Sequence, residues 1–197
     1  MPRRTVFSRE EIVQAAFELV DENGRGRLTA RGVADRMSAS TAPVYSNFRS
    51  MNDLARAVML RSRDILQEYA TAPHTEHVFL NMGIGIIKFA RDHRHLFREM
   101  FLETAEYKDI LTELRASLLE VMGRDEMLDA LALPQKEELL FKMSVITYGI
   151  AAQVCVGLME LESDEEITNI LSVVGSAVVE AALAAAAEPT SHSAKDK

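Results

Sequence analysis

The sequence predicts an all-α protein of about nine helices, and three observations predict it. Apolar residues recur at three- and four-residue spacing along most of the chain, with little of the strand-like alternation that would compete. Glycine and proline are sparse, 9 and 5 in 197 residues, which suits long uninterrupted helices. Three segments have the form of a capping box, Ser8 to Glu11, Ser50 to Asp53 and Ser163 to Glu166. In such a box a hydroxyl and a carboxylate three residues apart satisfy each other's backbone donors at a helix start.

The first box opens a helix whose apolar stripe is Ile12, Ala15, Ala16, Leu19 and Val20 and which stops at Asn23-Gly24. Arg3 and Arg4 precede it, as either an arm toward a polyanion or a loose start. Arg25-Gly26-Arg27 is a basic loop, phosphate-facing or simply solvated. Thr29 then caps a short helix, with Val33, Ala34 and Met37 on one face. Ser38-Ala39 makes a turn. Ser40 is expected to cap a second short helix over Thr41–Asn47, with Pro43 in its first turn, where a missing N–H costs little. Val44 and Phe48 point inward. Thr41, Ala42, Pro43, Ser46 and Asn47 are left outward.

Two short helices joined by a tight turn form a helix-turn-helix, which can place its second helix in a DNA major groove. Small outward side chains allow close approach to base edges. Thr41 can hydrogen-bond a base, Ala42 or Pro43 can touch a thymine methyl, and Tyr45 is placed for a phosphate. The pieces in order are Ile12–Gly24, Thr29–Met37, Ser38–Ser40, Tyr45-Ser46-Asn47-Phe48 and Ser50-Met51-Asn52-Asp53-Leu54. Over about residues 8–62 this arrangement resembles the TetR family of transcriptional regulators. The resemblance implies a DNA-binding head and a helical body that binds an effector and dimerises. It departs at two positions. The family's turn carries Gly where Ser38 stands, and a left-handed backbone there costs Ser on the order of 1 kcal/mol. The family's fourth helix opens with a phosphate-binding Lys where this chain has Met51, so that contact is either lost or taken over by Arg49 or Arg56. The expected DNA-facing set is Thr29, Arg31, Ser40, Thr41, Ala42, Pro43, Tyr45, Ser46, Asn47 and Arg49.

The second box opens a helix through Leu54, Val58, Arg61 and Ile65 to about Tyr69, and Thr71–His74 breaks it. A third long helix runs from Thr75 or Glu76 to Asp92. It is apolar nearly all round, which places it in a core. Its Gly83-Ile84-Gly85 lacks the third glycine and the preceding strand of a nucleotide fingerprint. Leu96, Phe97, Met100 and Phe101 mark a short helix, Tyr107 to Val121 another, and Met127 to Leu131 a turn or two. Pro134 starts a helix expected to reach Leu161. The third box starts the last, to Ala187, and 188–197 reads as a disordered tail. The final pair, about 134–161 and 164–187, is rich in Gly and Ala and is expected to form a four-helix bundle with a second copy.

Net charge is −8, but it is divided. Residues 1–63 hold 11 Arg, no Lys and 7 acids, a net +4; residues 64–197 hold 11 basic and 23 acidic groups, a net −12. A basic end attracts phosphates while an acidic body orients the approach. The single Cys155 excludes an internal disulfide framework and reads as a core residue. No apolar leader segment follows the basic start, and the uncharged run Met143–Met159 falls short of a membrane span, so a cytoplasmic protein is expected. His74 with His77 and His93 with His95 lack further ligands and read as solvated. No His has Glu three residues before it, as a di-iron bundle would need, and no nucleophile elbow or phosphate loop is present. No catalysis, cofactor or metal is expected.

The expected organisation is a helix-turn-helix domain over 1–50, with its motif at about 28–48, and an effector-binding and dimerisation domain over 51–187. Ten Met and eight Phe suit an adaptable apolar pocket. Its expected lining is Asn81, Met82, Ile86, Phe101, Tyr107, Leu111, Met143, Thr147, Tyr148 and Gln153. The expected function is a homodimeric repressor, released from a near-palindromic double-stranded DNA operator by a small apolar ligand. The alternative is a helical ligand carrier or interaction bundle that does not bind DNA.

Overall fold

The computed structural model describes residues 7–103 and 106–187. The Arg3-Arg4 arm and the 188–197 tail lie outside the described residues. Among those described, all regular structure is helical: α1 (Arg9–Asn23), α2 (Ala30–Arg36), α3 (Ala42–Asn47), α4 (Met51–Thr71), α5 (Val78–Asp92), α6 (Arg94–Arg98), α7 (Lys108–Met122), α8 (Leu133–Cys155) and α9 (Asp164–Ala187). Short 3-10 turns at Arg25–Arg27 and Glu126–Leu128 and a π turn at Glu99–Glu103 complete it. The expected all-α class and the nine helices are both present.

Local chemistry sets most of the helix starts. The first box closes both ways, with Glu11 N donating to Ser8 Oγ (3.1 Å) and Ser8 N to Glu11 Oε2 (2.7 Å). The third closes likewise, with Glu166 Oε2 accepting from both Ser163 N (3.0 Å) and Glu162 N (2.9 Å). Those backbone donors hold the Glu166 carboxyl below its usual range. The second box closes one way only, Asp53 N to Ser50 Oγ at 3.1 Å.

Three boundaries differ from expectation, each for a visible reason. Helix α3 begins at Ala42, and Thr41, not Ser40, is its N-cap, without a side-chain cap bond. Helix α5 begins at Val78 because Asn81 reaches back over the entry. Its Oδ1 accepts from Thr75 N (2.7 Å) and Thr75 Oγ1 (2.8 Å), which holds that segment off helical geometry. The first turn of α5 is then capped from far along the chain, Phe79 N donating to Asp125 Oδ2 at 2.8 Å. Helix α8 stops at Cys155, six residues short of Leu161. Gly157 adopts φ +75 there, and Leu158 N turns back to Gln153 O at 2.9 Å, a glycine-terminated helix end.

Helix α5 is the hub, packing on α4, α6, α7, α8 and α9. Ile84, Ile87, Phe89 and Ala90 are fully buried along it. Gly85 is required at the α4 crossing: a Cβ there would lie 2.0 Å from Tyr69 O and 2.6 Å from Ala70 Cα. Along its other side α4 runs beside α7 through Arg56–Asp109, Arg63–Glu113 (2.9 Å) and Gln67–Ser117 (2.8 Å). At the far end of α5, Lys88 Nζ binds Asp164 at 2.7 Å and Arg91 Nη1 donates to Glu162 O at 3.3 Å, fixing the start of α9. Cys155 is buried as expected, its thiol on Arg94 O at 3.2 Å and pushed up in pKa by burial.

By length and composition alone, α8 and α9 could each cross a membrane, and only 17% of the α9 window is buried within the chain. Phe141, Val145, Leu158 and Val173 are exposed on this pair or its connection, Leu158 at 79% and Val173 at 75%.

Ser38, between α2 and α3, has φ 51, the left-handed conformation anticipated for that position. The Ser38→Gly variant removes the Cβ penalty of about 1–2 kcal/mol there and gains some unfolded-state freedom. The net result expected is a stabilisation of about 0.5 kcal/mol, read as a higher urea midpoint at unchanged slope. A lower midpoint would mean that the Ser38 side chain contributes a contact the backbone does not reveal.

Candidate nucleic-acid interface and effector cavity

The helix-turn-helix is built from its apolar side outward. Val33, Ala34, Val44 and Phe48 are buried against Ile12, Ala16 and Val20 of α1. Thr29 caps α2 by accepting from Gly32 N at 3.0 Å. With Val44 and Phe48 turned in, α3 presents Ala42, Tyr45 and Ser46 to solvent, and Tyr45 is 66% exposed with no hydrogen bond on its hydroxyl among the described residues. The Thr41 and Ser40 hydroxyls are likewise unbonded there. Ser46 Oγ donates to Pro43 O at 3.0 Å and Asn47 Nδ2 to the same oxygen at 2.9 Å. Asn47 therefore faces outward only through its carbonyl oxygen. Arg9 lies over the Phe48 ring, 4.4 Å from its centroid.

Part of the basic charge of this end is paired within the chain, while the exposed Arg9, Arg27, Arg49 and Arg61 have no ion pair among the described residues. Arg36 is held by Glu18 (2.9 Å) and by a bidentate pair with Glu22 (2.6 and 2.7 Å). These bonds raise the Arg36 pKa and lower that of Glu22, and Glu18 is lowered by the hydrogen bond from Gln14 and then by Arg36. Arg25 is not a free loop cation: Nη1 binds Glu99 Oε1 at 2.6 Å and the Tyr107 hydroxyl. Of the two arginines expected to stand in for a phosphate contact at Met51, Arg56 is committed to Asp109 and Arg49 has no ion pair among the described residues. Arg27, Arg31 and Arg49 remain exposed, and Arg31 is only 3.9 Å from Asp35, at a rim where such pairs are weak. Beside α3, a groove of about 890 Å³ between α1 and α4 is lined by Arg9, Arg49, Arg56 and Arg61 but also by Glu10, Glu11, Asp53 and Asp64. Its charges offset one another.

A second set of ties links α1 and its following turn to the rest of the chain. His93 Nδ1 lies 2.8 Å from Asp21 Oδ2, and Phe17, Tyr69 and Phe89 ring it at centroid distances of 5.1–6.0 Å. His93 is thus a packed, paired residue, and the expectation of a solvated histidine is corrected. The signal was only the ring itself, since Asp21 is 72 residues away. No group of three or more metal-ligating side chains occurs among the described residues.

Behind these ties a cavity of about 440 Å³ lies between α5, α8 and α9, closed by residues of α7 and the 126–128 turn. That volume is within the range of small-molecule sites. Of the expected lining, Met82, Ile86, Met143, Thr147 and Tyr148 are present. Asn81 is spent on Thr75, and Tyr107 is buried on Arg25. Phe101 stacks on Phe97 (4.8 Å) and packs tilted against Tyr148 (4.9 Å). Leu111 packs in the core and Gln153 is exposed, so these five are corrected as cavity residues. The α9 wall of Leu171, Gly175, Val179 and Leu183 was not expected from the sequence, where its spacing reads equally well as dimer face. Burial raises the Tyr148 pKa, with Arg115 opposing. No protein-family model and no curated protein matches this chain.

Proposed function

We propose that the chain is a dimeric, ligand-responsive DNA-binding regulator, a repressor of the kind the TetR resemblance implies, working in the cytoplasm. The observation that carries this is α3: a short helix with its apolar residues buried, small side chains outward, an unbonded Tyr45 hydroxyl, and a left-handed residue in the turn before it. The cavity supports an effector site, and the exposed Phe141, Val145 and Val173 on α8 and α9 support pairing with a second copy rather than insertion in a membrane. Two copies would place their α3 helices in successive major grooves about 34 Å apart. An effector preferring one head separation by about 1–3 kcal/mol would change DNA affinity by 5–150-fold.

The test is selection of the purified protein against random duplex DNA at low salt. Recovery of two half-sites in near-palindromic order is the expected outcome. On that site Tyr45→Phe should weaken binding about fivefold, the net worth of one hydrogen bond, and equally on sequence variants, because a phosphate contact reads no sequence. A second reading, a ligand carrier without DNA, is favoured by the internal pairing of Arg25, Arg36, Arg56 and Arg63. Failure to enrich any duplex, with and without effector, would move it to first place.

A further inference from the structure

The lining of the cavity limits what can enter it. Its titratable side chains are His77, Asp125, Tyr148 and Glu180, with no lysine or arginine among the described residues. Asp125 is buried at 6% exposure, accepting from Phe79 N (2.8 Å) and Met127 N (3.1 Å), without an ion-pair partner among the described residues. Glu180, on the exposed side of α9, has no hydrogen bond or ion pair there either. A carboxylate ligand would meet two acidic side chains, and the one lining group able to offset them, His77, lies 3.7 Å from Glu76, so the ligand's desolvation goes uncompensated. A cation meets the opposite.

The other end holds an unused hydroxyl. Thr147 is 3% exposed and lines the cavity, yet its Oγ1 makes no hydrogen bond among the described residues. That oxygen opens onto the cavity and is not sealed in the core, so a ligand group can pair with it directly. Gly83 puts Thr147 and Leu171 level with each other: a Cβ on it would lie 3.1 Å from Leu171 Cδ1 and 3.5 Å from Thr147 Oγ1. Gly175 stands one turn further along α9, beside Met143 Cε (3.5 Å). From Leu171 to Glu180 the helix advances about 13 Å. Met82, Ile86, Leu140, Met143 and Val179 supply apolar wall along that length.

We propose that this cavity takes an extended apolar amine, its ammonium at the Glu180 end and a hydroxyl or carbonyl at Thr147. This rests on the cavity being the effector site, and it assigns the chemical class of the effector. Both neutral amphiphiles and carboxylates are then poorer ligands than a cation of the same body.

The test uses three probes of one chain length on the full-length protein without DNA, followed by calorimetry: ω-hydroxydecylamine, n-decylamine and decanoate. The hydroxyamine should bind about fivefold tighter than decylamine, the net worth of one hydrogen bond. Decanoate should bind at least about tenfold more weakly than decylamine. Glu180→Gln should weaken both amines by about threefold and leave their ratio unchanged. Thr147→Val, which keeps the side-chain shape, should abolish only the advantage of the hydroxyamine. Decanoate binding as tightly as decylamine, or Glu180→Gln without effect on either amine, would overturn the proposal. Release from the selected duplex is scored separately. Amine binding with no release rejects the regulator and leaves the cavity chemistry standing; release by decanoate alone does the reverse.

Discussion

Gly85→Ala should destabilise the protein by about 3 kcal/mol or more, lowering the melting temperature by roughly 6–12 °C for a chain of this size. Most glycines in helices gain from this change, because alanine restricts the unfolded chain and favours the helix by about 1 kcal/mol. Here the added Cβ would sit 2.0 Å from Tyr69 O, 2.3 Å from Tyr69 C and 2.6 Å from Ala70 Cα. All three are backbone atoms of α4, so no rotamer change relieves the overlap. The two helices must separate by more than an ångström, and close packing transmits that to Leu66, Ala70, Ile84 and Phe89, all fully buried nearby in sequence on the two helices. Gly83→Ala is the matched control. Its Cβ would meet Leu171 Cδ1 at 3.1 Å, the far end of a side chain that can rotate. Near-neutral stability is expected for it. Equal melting temperatures for the two variants would show that α4 and α5 do not cross as closely as described.

The contrast between those glycines also shows which parts of the molecule could be read in the sequence. Capping boxes and helical period are short-range, so Ser8, Ser163 and the stripe of α1 stood out before any tertiary contact was known. The left-handed backbone at Ser38 was anticipated only through the family resemblance, in which that turn carries glycine. Gly85 was noticed only as part of a failed nucleotide motif, because its role depends on Tyr69, which no local pattern brings near. Asp125 capping α5 from 46 residues away, and His93 paired with Asp21, were hidden likewise. The end of α8 was misjudged because Leu158 and Leu161 continue its apolar period past Gly157, and the glycine's positive φ overrides them. The cavity was half visible. Met82, Ile86 and Met143, and the polar Thr147 and Tyr148, line the cavity where α5 and α8 face α9, while Asn81 and Tyr107 are consumed by structural bonds.

Arg25→Met should cost about 3 kcal/mol, and the cost should largely vanish when Glu99→Met is added. Glu99 is 5% exposed and Tyr107 1%, and their polar ends converge on Arg25 Nη1 from the body side while Arg25 itself belongs to the turn after α1. Glu106 adds a longer contact at 3.6 Å. Burial pushes the Tyr107 pKa up and Arg25 opposes it, as expected for a phenol held beside a cation. Removing the guanidinium leaves a buried carboxylate with no counter-charge, so Glu99 must either protonate or draw in water, and the structure loosens in both cases. Removing the carboxylate as well replaces an ion pair by apolar volume, which is often neutral. Urea denaturation of the parent, both single variants and the double variant at pH 7 measures the coupling. A coupling above about 1.5 kcal/mol is expected, since the pair is charge-assisted and mostly out of water. Simple additivity of the two losses would mean that Glu99 is satisfied by other groups and that Arg25 contributes through its packing against the Tyr107 ring alone. Because Arg25 follows α1 and Glu99 follows α6, a large coupling would also identify this contact as a principal tie between the helix-turn-helix and the helices that enclose the cavity.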